Sequence, residues 1–320
     1  MRRTRRPAIL LKDVTLREGL DTPGVAFDRR ARARIAATLE AAGIREAEVV
    51  APSRVAGDVE LARSLPKRSL LLTGLVYASG PHAAEEVRTC AGVLDRVDLL
   101  MPLSPRRAPF SARQKRELLV AVLRATGGLP LEVGAGFPHA FAADPAGLIA
   151  IARSAVDAGA RRITLYDTNG SAEPFGVYDR VARLAKMLPV PVFFHGHDDL
   201  GLATANAWAA VRAGAVGLDV TVNGLGDRAG NASLEQVATL LHVRGVATGL
   251  RLSALPALSR LVARASRVPV SPLAPVVGAY VFAHRSPAHL PVPAEFEAFD
   301  PVLLGARRRL QTAPPQRGRS

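Results

Sequence analysis

The sequence predicts an α/β protein folded as a (β/α)8 barrel, the TIM-barrel architecture, followed by a short helical and irregular C-terminal extension. Three observations carry that reading. Short runs rich in Ile, Val and Leu recur, each leading through a polar turn into a stretch of helical period, and eight such units can be counted. The polar residues that look chemical fall just after these runs, at the strand ends where a barrel gathers its functional groups. The first run leads into DVTLREG (residues 13–19). An open doubly wound sheet, the structural runner-up, would want a glycine-rich phosphate loop there.

In chain order, the first strand is expected at 8–12 (AILLK) and the first helix at Arg29–Ala42, rich in Ala and Arg. The second strand is Glu46–Val50 (EAEVV), followed by a short segment of helical period at 57–64. Strands at 70–76 (LLLTGLV) and 97–101 (VDLLM) precede helices at 83–91 and 112–125. The fifth and sixth strands, 131–134 (LEVG) and 162–167 (RITLYD), precede helices at 145–158 and 176–186. The last two, 190–195 (VPVFFH) and 217–223 (GLDVTVN), precede helices at Ala203–Ala213 and 234–242. Residues 1–250 thus form the catalytic barrel. After about residue 251 the chain becomes Pro-punctuated, with one helix-like stretch, LPALSRLVARASR, so 251–311 reads as an extension completing the active site or a dimer. Residues 312–320 read as a disordered tail.

Composition narrows the class. With 48% hydrophobic and 22% charged residues, the chain can bury a sizeable core and is neither disordered throughout nor collagen-like. Cys90 is the only cysteine, which excludes a disulfide scaffold and fits a reducing cytoplasm. No apolar stretch is long enough to span a membrane, and the N-terminus lacks the apolar core and cleavage site of a signal peptide, so no membrane partner is expected. The net charge of +14 suggests a polyanion partner at first sight. Much of it lies at the ends, in Arg2, Arg3, Arg5 and Arg6 and in Arg307, Arg308, Arg309, Arg317 and Arg319. Four lysines against 38 arginines indicate a codon bias, and no zinc-finger or RNP-like motif supports nucleic acid.

The polar clusters define a candidate site. Strand one runs into Asp13, Thr15, Arg17 and Glu18, strand six into Asp167 and Thr168, strand seven into His195-Gly196-His197-Asp198-Asp199, and strand eight into Asn223 and then Asn231. Imidazoles at i and i+2 on one strand point to the same face, which suits chelation of one metal ion. A carboxylate such as Asp13 and an amide oxygen such as Asn231 would complete four protein ligands. Mixed N/O ligation without thiolate favours a divalent Mg, Mn, Co or Zn ion.

DVTLREG, HGHDDLGLATANAWAAVRAGA (195–215) and VNGLGDRAGNASLEQV (222–237) resemble the three signature segments of the DRE-TIM metallolyase superfamily. Within it the chain is most similar to the Claisen-condensing branch, the homocitrate and 2-isopropylmalate synthases. VVGAYVFAHRSPAH and EAFDPVLLGARRR resemble that branch's segment beyond the barrel. The resemblance implies condensation of acetyl-CoA with a 2-oxo acid, then thioester hydrolysis to a 2-hydroxy di- or tricarboxylic acid. It implies a homodimer, and Asp13, His195, His197 and Asn231 as ligands of the divalent cation. Arg17 would face the substrate carbonyl oxygen, Glu18 would orient catalytic groups, and Thr168 would hold the 2-oxo acid's carboxylate. Asp21 and Glu48 join Thr168 as expected substrate-binding residues, and His289 matches an acid/base histidine.

Three departures are visible. Leu20-Asp21 stands where the synthases have Glu-Gln, Ser286-Pro287-Ala288-His289 replaces Ser-Gly-Ile-His, and Phe296 occupies the place of a tyrosine. A metal-dependent retro-aldol or retro-Claisen lyase is the second functional reading, since the same enolate chemistry runs in reverse. A catalytically idle barrel scaffold is the third.

Overall fold

The computed structural model, which describes residues 8–65, 69–104, 106 and 108–311, closes the eight apolar runs into a parallel barrel. Strands β1 (Leu10–Asp13), β2 (Glu46–Val50), β3 (Leu71–Tyr77), β4 (Arg96–Leu100), β5 (Glu132–Phe137), β6 (Ile163–Asp167), β7 (Val192–Gly196) and β8 (Gly217–Val220) pair in sequence order. β8 returns to β1 in parallel, with Leu10 opposite Gly217 and Asp13 opposite Val220. Helices α1 (Arg29–Ala42), α2 (Val55–Ala62), α3 (Ala83–Cys90), α4 (Ala112–Thr126), α5 (Pro145–Asp157), α6 (Pro174–Met187), α7 (Ala203–Ala213) and α8 (Leu234–Val243) follow their strands. Among the described residues, no helix is long and apolar enough to cross a membrane.

Local chemistry sets the helix ends. Asp28, Ser111, Asp144, Glu173 and Ser233 each accept from backbone N–H groups of the first turn, and Ser111 forms a reciprocal capping box with Gln114. Glu173 and the Pro174 behind it start α6 two residues before the expected 176. β8 ends three residues short of the expected 223, because Val222–Gly224 turns into a 3-10 segment with Asn223 at φ 59°.

Side chains alternate in and out along each strand, and the inward positions here are not the aliphatic layers common in such barrels. Four carboxylates, Glu46, Glu48, Asp98 and Asp219, meet four cations, Lys12, Arg17, Arg96 and Arg162. Lys12 Nζ lies 2.9 Å from Glu48, 3.1 Å from Asp219 and 3.7 Å from Asp98. Arg162 donates to Asp98 at 2.8 Å and to Glu46, which also binds Arg96 at 2.5 Å. Burial alone would raise the Glu48 carboxyl, but Arg17 and Lys12 outweigh it and hold Glu48 down at about 2. Burial would lower Lys12, and Asp219 with Glu48 instead holds it above its ordinary value. Glycines make room for these groups. A Cβ on Gly134 would lie 2.1 Å from Asp98 Oδ1, and one on Gly217 would lie 2.1 Å from the Phe193 ring.

Beyond α8, helix α9 (Leu255–Ser266) packs on α1 and on the turn after β8. Asn223 fastens that contact, donating to Ser259 O at 3.0 Å while its Oδ1 accepts from Ser259 Oγ at 2.6 Å. The following segment forms a parallel pair of two-residue strands, β9 (Ala283–His284) and β10 (Arg309–Leu310). Glu297 ties it together by binding His284 at 3.1 Å and Arg308 at 2.8 Å, and Phe282 meets Phe299 edge-on. The expected disordered tail at 312–320 lies outside the described residues.

A buried network of this kind tolerates no missing member, since deleting one partner strands the others without water. Lys12→Met is therefore expected to lower unfolding stability by about 3–5 kcal/mol, read from urea denaturation of the purified chain. A change below about 1 kcal/mol, the size of an ordinary surface pair, would show that Lys12 is not the hub described.

Candidate functional site

Two short bridges at the barrel's C-terminal mouth assemble the site. His197 lies one residue past β7 and forms an antiparallel bridge with Asn231, with Asp198 N donating to Gly230 O at 2.9 Å and Ala232 N to Gly196 O at 3.1 Å. Gly230 must be glycine for this loop to close, since its φ is 88° and a Cβ would lie 1.9 Å from Gly224 O. On the other side, Val222 N donates to Thr15 Oγ1 at 2.9 Å, joining the ends of β8 and β1.

The structure brings Glu18, His195 and His197 together, each with a ligand atom within 4.8 Å of the others. Glu18 Oε1 is 3.7 Å from His197 Nε2, and the two imidazole centroids are 5.2 Å apart. Asp219 Oδ2 sits 3.1 Å from His195 Nδ1, which leaves Nε2 for the site. Burial pushes the His195 imidazole below its ordinary pKa, against the pull of Asp219. Burial, then His195 and Arg228, bring His197 down to about 3. Burial thus favours the neutral form of both rings, the form that ligates metals.

Asn231 Oδ1 and His197 Nδ1 are buried with no hydrogen-bond partner among the described residues, and such atoms call for a ligand. Glu18, His195, His197 and Asn231 thus offer nitrogen and oxygen donors fit for a divalent cation. Asp13 is placed differently. Its oxygens accept from Thr15 N and Thr15 Oγ1, each at 3.0 Å, and burial raises its carboxyl to about 7.

A cavity of about 230 Å³ opens over this cluster, with Arg17, Glu18, Asp21, Thr168, His195 and His197 in its wall. Arg17 is anchored from below by Glu48 at 2.6 Å and from the side by Glu18, and its second terminal nitrogen is buried without a hydrogen-bond partner among the described residues. Asp21 is half-exposed, 3.9 Å from Arg17. Thr168 Oγ1 accepts from His139 N at 2.9 Å, so its hydroxyl proton is left for another acceptor. Glu48 is fully buried beneath the cavity and spent on Lys12 and Arg17, not in its lining. His289 is elsewhere too, stacked on Phe296 at 3.8 Å in the extension. Cys90 ends α3 in the core, where burial pushes its thiol up to about 12, far from any reactive role.

Several residues that shape the site gave no separate signal in the sequence. Arg228 binds Asp199 through two nitrogens at 2.8 and 2.9 Å, Asp227 at 2.8 Å and Thr168 O at 2.8 Å, clamping three loops. Asp219 and Tyr166 sit in runs that read as plain strand. The one available clue was the charge on Lys12 and Asp219 at inward positions of apolar strands.

Residues 8–262 match the family model described as HMGL-like. A homocitrate synthase of Frankia alni is 35% identical over 314 residues, covering 95% of this chain and 89% of the relative. A 2-isopropylmalate synthase of Caldanaerobacter subterraneus is 33% identical, covering 94% and 81%. Among solved structures, the HMG-CoA lyase of Bacillus subtilis superposes with a TM-score of 0.74 at 19% identity, covering 85% of this chain and 98% of that one, a likeness of fold.

Because Asp219 fixes the ring that presents Nε2, its charge should be felt in cation affinity. Asp219→Asn is expected to weaken Mn2+ binding by about 10–100-fold, measured by EPR titration of free Mn2+. Unchanged affinity would contradict the link between Asp219 and the cluster.

Proposed function

The chain belongs to the HMGL-like family, and we propose that it is an acyltransferase condensing acetyl-CoA, or a related acyl-CoA, with a 2-oxo acid. The product is a 2-hydroxy di- or tricarboxylic acid, with the acyl group converted to an alkyl group on transfer. Two synthases of this kind are its relatives over more than nine-tenths of its length. The observation that carries the reading is the open, buried guanidinium nitrogen of Arg17 beside a cluster of two imidazoles and a carboxylate.

A divalent cation, Mg, Mn, Co or Zn, would be held by His195, His197 and Asn231 with a carboxylate from Asp13 or Glu18, and would supply Lewis acidity to the acceptor carbonyl. Arg17 donates to the carbonyl oxygen as negative charge builds there, and it needs no reorganisation because Glu48 and Glu18 already hold it. Thr168 donates its free hydroxyl proton to the acceptor's carboxylate, with Asp21 at the rim ordering the entry. Removal of the donor's α-proton is assigned to His289. Since His289 does not line the cavity of its own chain, it serves the cavity of a second copy, which makes the working form a homodimer. The need for acyl-CoA and the single buried thiol fit a cytoplasmic setting.

Thiol release from acetyl-CoA in the presence of a 2-oxo acid tests the reaction. It should vanish with a chelator and return with Mn2+ or Mg2+. Arg17→Ala is expected to lower kcat about a hundredfold or more with cation affinity nearly unchanged. A loss confined to KM would remove Arg17 from the transition state, and cleavage of 2-hydroxy acids without condensation would favour the lyase.

A further inference from the structure

One buried polar group in the cavity wall has no part in the chemistry above. The Tyr166 side chain is on β6, the residue is 5% exposed, and its hydroxyl has no hydrogen-bond partner among the described residues. A buried hydroxyl left unpaired is costly, and native structures keep few of them. The ring is positioned by packing alone. It lies against the His195 imidazole with centroids 4.6 Å apart, and it clusters with Leu75 and Leu100. Gly136 on β5 provides the space, since a Cβ there would be 2.9 Å from Tyr166 Cε2 and 3.5 Å from the hydroxyl. A phenol is ordinarily protonated at neutral pH, so the hydroxyl is a donor.

The wall around that donor has a definite character. β3, β4 and β5 lie across the barrel from β7, β8 and β1, and they contribute Leu75, Tyr77, Leu100, Pro102 and Pro138 to the cavity. The cavity's guanidinium groups, Arg17 and Arg228, come from the β1 and β8 loops; Arg228 is paired with Asp199 and Asp227, and Arg17 is held by Glu48 and Glu18 with one nitrogen left for the acceptor's carbonyl oxygen. On the β3–β5 side the described lining residues include no lysine or arginine, and His139 is the imidazole there. A carboxylate seated there would lose its hydration without a fixed counter-charge. An uncharged tail carrying one hydrogen-bond acceptor would satisfy Tyr166 and cover the apolar wall.

We infer that Tyr166 and the Leu75–Leu100 wall read the side chain of the acceptor, selecting 2-oxo acids with an uncharged tail that carries one hydrogen-bond acceptor over acids whose tail is a second carboxylate. This rests on the 2-oxo acid reading of the site and gives it a substrate class. The test uses the cation-loaded full chain with 2-oxopentanoate, 2-oxopentanedioate and the distal methyl ester of the latter. Thiol release gives kcat/KM, and equilibrium dialysis gives binding. The ester should exceed the dicarboxylate about a hundredfold, and Tyr166→Phe should lower the ester-to-pentanoate ratio about tenfold. A preference for the dicarboxylate overturns the inference. An equal loss on all three acids with Tyr166→Phe also overturns it, because the hydroxyl would then serve a group common to them. If no acid releases thiol but dialysis gives the expected order and its dependence on Tyr166, acyl transfer falls and the pocket assignment stands. If none binds, both fall.

Discussion

Charges buried inside a closed barrel have no water to turn to, so each must find its counter-charge among side chains fixed on neighbouring strands. In this protein Lys12 is the centre of that arrangement, fully buried between Glu48, Asp219 and Asp98. Replacing the whole set with aliphatic residues could leave stability unaltered, because desolvation offsets much of the pairing. The set matters for what it holds. Glu48 carries Arg17 on its second oxygen, and Asp219 carries His195 on the oxygen that also meets Lys12. The orientation of the cavity floor is therefore inherited from the barrel interior, strand by strand.

The loops add a second layer of constraint. Arg228 draws together the ends of β6, β7 and β8 through Thr168, Asp199 and Asp227, and the His197–Asn231 bridge fixes two of the side chains whose buried atoms lack a hydrogen-bond partner among the described residues. Preorganised catalysis requires a backbone held in place beneath unsatisfied donors and acceptors.

Much of this was legible in the sequence because it depends on local pattern. Eight apolar runs with intervening helical periods gave the barrel, and His195 with His197 at i, i+2 gave the shared face at the end of β7. Long-range pairing was less visible. Nothing near Glu48 in the sequence says that it faces Lys12, so it read as a substrate ligand when it is an interior anchor. Glu18 read as an orienting group, yet its carboxylate is the one beside the imidazoles, while Asp13 is turned to Thr15. Tyr166 lies in ITLYD, where a buried aromatic reads as core. Its meaning depends on Gly136, thirty residues away, being small. The extension was expected to complete the active site or a dimer, and within one chain its Phe282 meets Phe299 while Glu297 binds His284 and Arg308.

His195 and His197, held by the barrel's buried charges, form the proposed seat of a divalent cation facing the acceptor. Anomalous diffraction from crystals grown with Mn2+ and a 2-oxo acid tests it most directly. One strong peak is expected within bonding distance of both imidazoles, with Asn231 Oδ1 and a carboxylate of Glu18 or Asp13 completing the protein's ligands and Arg17 against the acid's carbonyl oxygen. A peak bonded to neither imidazole, or an acid bound away from Arg17, would contradict it.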